Sequence, residues 1–109
     1  MMIDNPSITM ELLEQLTEAL PLPARMTPEL HASLQKQNAA TAIPIVCMIT
    51  RLHYLGDEGG IVCKLDLGAA ENEAYVSITH LRFDPRLKLS RHITTYQRHR
   101  VKRLRRQAA

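Results

Sequence analysis

The chain of 109 residues has no Trp, one Phe and three Tyr. Its core must therefore be built from aliphatic side chains, and the aromatic anchors of a membrane-surface helix are missing. Cys47 and Cys63 are the only cysteines. They form neither a C-x-x-C pair nor a disulfide framework, so buried, reduced thiols in a cytoplasmic protein are expected. Four Gly and six Pro exclude collagen-like and low-complexity chains. The longest uncharged stretch, Gln37 to Thr50, contains Pro44 and falls short of the ~20 apolar residues that cross a bilayer. Met1 to Pro6 holds no Lys or Arg and leads into no apolar run, so no secretory signal is expected.

The sharpest absence is that of acid at the C-terminal end. After Asp84 there is no Asp or Glu, while Arg86, Lys88, Arg91, Arg98, Arg100, Lys102, Arg103, Arg105 and Arg106 contribute nine positive charges. Residues 1–84 hold all eleven acids against five bases, a net of −6 that the overall +3 conceals. Such asymmetry points to a polyanionic partner or to pairing between the two parts.

Three segments carry a helical period. Ile8, Leu12, Leu13, Leu16 and Leu20 recur at spacings of three and four from Ser7 to Leu20, and Pro21 and Pro23 stop the helix. Thr27 as cap with Pro28 at the first helical position opens a second helix, with Leu30 and Leu34 inward and an end near Asn38. From Ser90 the apolar positions are Leu89, Ile93, Val101 and Leu104, with Tyr96 at their margin. The connection from Pro21 to Met26 is too long, and too rich in proline, for a helix-turn-helix.

Between these helices, β-branched and compact residues predict strands. Ile43 to Tyr54 reads as a well-buried strand, and Gly56-Asp57-Glu58-Gly59-Gly60 as a hairpin loop. Ile61 to Leu67 alternates between a buried and a wetter face, and Ala74 to Phe83 follows the polar connection Gly68 to Glu73. The expected fold is α+β: a three-stranded antiparallel meander covered by two N-terminal helices and one basic C-terminal helix. One domain spans residues 1–109, with a helical part at 1–38, the sheet at 43–83 and the basic helix at 85–109.

At 100° per residue, Arg91, Arg98, Lys102 and Arg105 fall within a wedge of about 60° opposite the apolar stripe, with Arg106 extending it. Only Arg100 intrudes near the apolar side. The result is a basic ridge about 25 Å long, whose like-charge neighbours repel one another. The leading reading is a small non-enzymatic module that contacts nucleic acid, RNA favoured. Arg91, Arg98, Lys102, Arg105 and Arg106 would follow phosphates, and Tyr96 and His99 would be available for base stacking. A second reading is a protein-interaction or self-association module, in which the ridge meets acidic surfaces such as Glu11, Glu14 and Glu18 of another copy. A third is a small enzyme using His53, Cys63 or His80, since a register placing Leu55 opposite Ile61 would bring His53 level with Cys63. The spacing specifies no catalytic acid/base pair, metal site, cofactor or membrane contact; Asp66, Asp84, Glu71 and Glu73 read as solvated carboxylates.

Overall fold

A computed structural model describes residues 6–68 and 74–108. Helix α1 (Pro6–Glu18) buries Leu12 and Leu16 of the expected stripe, and Thr9, which lay outside it. Ile8, the first residue of that stripe, is instead 63% exposed. Strand β1 (Leu22–Met26) follows, with Leu22, Ala24 and Met26 buried and Pro23 and Arg25 outward. This segment reads as a linker because of its prolines, yet Pro23 is accommodated. The Met26 amide donates to Ile45 O on the β2 side and the Thr27 amide to His80 O on the opposite side. Backbone N–H groups alternate along a strand, so the position of Pro23 would have aimed its N–H away from β2, beyond the reach of the short edge strand there.

Helix α2 (Pro28–Gln37) starts as expected: Thr27 Oγ1 accepts from the Leu30 amide at 3.3 Å. Asn38 caps its end, and Gln35 clamps the segment beyond, donating to Thr41 O at 2.8 Å and accepting from the Ile43 amide at 2.8 Å.

Strand β2 (Val46–Tyr54) pairs with β1 on one side and β3 (Ile61–Asp66) on the other, both antiparallel. Its ladder steps from Ile49↔Leu65 to Arg51↔Lys64, leaving Thr50 as an inserted residue. That bulge keeps Cys47 and Ile49 on the same face as Leu52 and Tyr54 despite a spacing of three between Ile49 and Leu52. Strand β2 is buried on one side only; Val46, Met48, Arg51 and His53 are exposed. The glycine-rich loop is a single helical turn, α3 (Gly56–Gly59), closed by Gly60 N to Gly56 O and Leu55 N to Gly60 O. Leu55 therefore pairs with Gly60, and Tyr54 rather than Leu55 lies opposite Ile61.

The expected third strand divides. Strand β4 (Ala74–Ser77) pairs with β3, a 3-10 turn spans Ile78–His80, and β5 (Leu81–Arg82) pairs with β1 at the other edge. Ser77 initiates the turn, its hydroxyl accepting from the Thr79 amide at 3.2 Å. The meander of three strands is thus replaced by a five-stranded antiparallel sheet in the order β4-β3-β2-β1-β5. Four residue steps from Ser77 to Leu81 reach at most roughly 14 Å, whereas a flat five-stranded sheet would separate its edges by about 19 Å. The sheet must curl, and it forms a half-barrel. The connection at 69–73, with Glu71 and Glu73, lies outside the described residues.

Helix α4 (Ser90–Ala108) and α1 pack against each other and, with the inner face of the sheet, enclose the core: Leu12, Leu16, Met26, Ile49, Ile61, Cys63, Leu65, Ile78, Leu81 and Ile93. No described helix is long and apolar enough to cross a membrane.

Candidate nucleic-acid interface

Among the α4 residues whose side chains are described, Ile93, Tyr96 and Arg100 are buried, at spacings of three and four. Gln97 fastens the helix to the sheet edge, its Nε2 donating to Ile78 O at 2.7 Å and Leu81 O at 2.8 Å. With that orientation fixed, Arg91, Arg98, Lys102, Arg105 and Arg106 are all exposed.

Four of these five line one groove. Arg98, Lys102, Arg105 and Arg106 line it together with Thr94, Gln97 and Val101 of α4, Thr79 of the 3-10 turn and Arg82 of β5, around a volume of about 890 Å³. Arg82 is anchored by its Nη1, which donates to Thr79 O at 3.0 Å and Leu81 O at 2.9 Å. The groove therefore holds five cations and no carboxylate. Among the described residues none of the five is in an ion pair. Arg91 lines a neighbouring groove of about 550 Å³ with Lys88 and His92, which shares Arg98 with the first. Sequence reasoning missed Arg82, because it belongs to the acidic part of the chain and reaches α4 only through the curl of the sheet.

The two candidate stacking residues separate. His99 is exposed, at a cleft between α1 and α4 that also holds Ile8, Glu11 and Gln15. Tyr96 is 6% exposed, and its hydroxyl accepts from the Ile61 amide at 3.2 Å. A ring so enclosed offers no face for a base. Arg100 is also internal, its Nη2 donating to Asp57 O at 2.8 Å.

The residues of the enzymatic reading do not meet. His53 lies opposite Val62 on the outer face of the sheet, while Cys63, opposite Leu52, points into the core. His80 is exposed on the 3-10 turn. Burial pushes the Cys63 thiol up to about 12, so it is no thiolate near neutral pH. Cys47 is also raised, by burial and then by the Asp66 charge, and its Sγ donates to Pro44 O at 3.3 Å. Arg86 binds the Asp84 carboxylate at 2.9 Å; these hydrogen bonds hold Asp84 below its ordinary value. Among the described residues no three His, Cys, Asp or Glu gather as a metal site.

In comparisons with protein-family models, curated proteins and solved structures, nothing matches the chain.

Proposed function

We propose that this protein binds nucleic acid, RNA in preference, by laying phosphates in the groove between α4 and the β5 edge. The observation that carries this reading is the convergence of Arg82 with Arg98, Lys102, Arg105 and Arg106 around one groove free of carboxylates. Like charges at helical spacing repel, and phosphates relieve that repulsion while releasing counterions. Arginine, four of the five, matches the fork geometry of phosphate oxygens. The contacts position a backbone rather than read a sequence. The proposed setting is the cytoplasm, where Cys47 and Cys63 remain thiols.

The test is fluorescence anisotropy of a labelled oligouridylate titrated at several salt concentrations. The expected result is binding that weakens steeply with salt and is lost when Arg98, Lys102 and Arg105 are all replaced by Glu. Unchanged binding in that variant, or a flat salt response, overturns the proposal.

A second reading has one observation of its own. Glu11, Glu14 and Glu18 are exposed on α1, and among the described residues none is in an ion pair. Pairing of this face with α4 of another copy would give a salt-sensitive dimer in sedimentation, together with no affinity for the oligonucleotide.

A further inference from the structure

The outer face of the sheet bears no covering element among the described residues. Every outward side chain of β1 to β4 is exposed or half-buried, and two large ones stand well into solvent: Val46 at 50% and Tyr75 at 53%. Two features set this face apart from an ordinary wetted sheet. The first is a pair of rings: His53 and Tyr75 reach across β3 to a centroid separation of 6.0 Å, tilted by 44°. The second is charge. Arg51 lies directly opposite Lys64, and Arg25 directly opposite Arg82. Like charges in directly opposed positions disfavour a sheet; among the described residues Asp66 is the one acidic side chain that faces the same way on β1 to β4. Arg82 also belongs to the α4 groove. The cations of the outer face thus continue round the β5 edge into the proposed phosphate track.

We infer that this face is a platform for unpaired nucleotides, on which bases of a single strand stack against Tyr75 and His53 while its backbone passes Arg25 and Arg82 into the α4 groove. The inference rests on the phosphate reading of that groove. Cations alone would suit any polyanion; exposed rings beside them select one with flat, stackable groups, and an open sheet about four strands wide seats two or three bases. A duplex keeps its bases stacked internally and gains nothing from the rings.

The experiment measures binding of two labelled probes, a short oligouridylate and an RNA duplex of the same length. Tyr75→Ala is expected to weaken binding of the single strand about tenfold and to leave the duplex as it was. Tyr75→Phe, which keeps the ring, restores most of that loss. Because Tyr75 is exposed, circular dichroism of the variant should match the parent. If Tyr75→Ala and His53→Ala bind the single strand as the parent does, while the triple Glu variant of α4 has lost it, the platform is wrong and the groove stands. If the parent binds neither probe, the groove reading fails and takes the platform with it. A variant that changes sedimentation instead of binding would make the face an interface between copies and overturn the inference.

Discussion

Arg100 lies against Gly60: a β-carbon on that glycine would sit 2.5 Å from Arg100 Nε and 2.8 Å from the Tyr96 hydroxyl. The guanidinium then reaches past it to the Asp57 carbonyl at 2.8 Å. Gly60 holds φ 64° and ψ −151°, a conformation confined to glycine. The α3 turn is therefore seated on α4 by an internal arginine, which separates Arg100 from its exposed neighbours on the same helix.

Gly60→Ala is expected to destabilise the fold by about 2–4 kcal/mol, combining backbone strain with the displacement of Arg100. Urea unfolding followed by circular dichroism reads this directly. A midpoint equal to the parent's would show that α3 leaves α4 without cost, and would remove the seat described above.

Arg100 and Arg98 should then behave oppositely. Arg100→Met removes the donor to the Asp57 carbonyl and should lower stability by about 1–3 kcal/mol, with oligonucleotide binding kept by the molecules that remain folded. Arg98→Met, at an exposed position, should unfold as the parent does and bind more weakly. Equal unfolding curves for the two would contradict the assignment of Arg100 to the interior.

Gln97 joins α4 to two carbonyls of the segment that closes the sheet, Ile78 O and Leu81 O. Gln97→Leu keeps the bulk and strands both acceptors, at a cost of about 1–3 kcal/mol. Hydrogen exchange should localise the loss: the amides of residues 78–82 exchange faster, while those of β2 and β3 keep their protection. Uniform acceleration across the sheet would show that Gln97 supports the whole fold rather than its closure.

Helices were the legible part of this chain, because their period and caps are local. Thr27, Pro28 and Asn38 bound α2 as the sequence reads, and Ser90 opens α4. The sheet was less legible because its determinants are tertiary. Pro21 and Pro23 disguise β1, whose partners alone decide whether a missing N–H matters. The run from Ala74 to Phe83 looks continuous, and only the Ser77 hydroxyl bonded to the Thr79 amide signals the turn that sends β5 to the far edge. The Leu55 to Gly60 hydrogen bond shifts the hairpin by one residue, moving His53 to the face opposite Cys63. In the candidate site, the α4 cations followed from 100° spacing, whereas Arg82 required the closure of a sheet that no local pattern encodes.

Cys63 gives a pH dependence of stability. Its thiol is raised from the ordinary 9.0 to about 12 by burial, so the folded state favours the protonated form. The contribution is complete below pH 9 and declines between pH 9 and about 12, by up to about 1.4 kcal/mol per pH unit. Cys63→Ala should show a shallower loss across that window in urea titrations, after allowance for the small cavity. Alkylation by iodoacetamide at pH 8 should leave Cys63 unmodified until the chain unfolds, and rapid modification of the native protein would contradict its place in the core.

If the proposed phosphate binding holds, its salt dependence locates the groove residue by residue. Each phosphate neutralised on a single strand contributes about 0.7 to the fall of log K with log salt. Arg82→Ala should therefore lower the slope by about 0.7, as should Lys102→Ala, because both side chains line the same groove. Arg86 supplies the contrast: it is equally a surface cation, but Asp84 Oδ2 accepts from its Nη2 at 2.9 Å, so it has little net charge to offer a phosphate. Arg86→Ala should leave the slope unchanged. If Arg82→Ala also leaves it unchanged while Lys102→Ala lowers it, the phosphates follow α4 alone and the β5 edge has no part in the site. If Arg86→Ala lowers it as much as Lys102→Ala, binding responds to surface charge in general, and the groove loses its claim to be a defined interface.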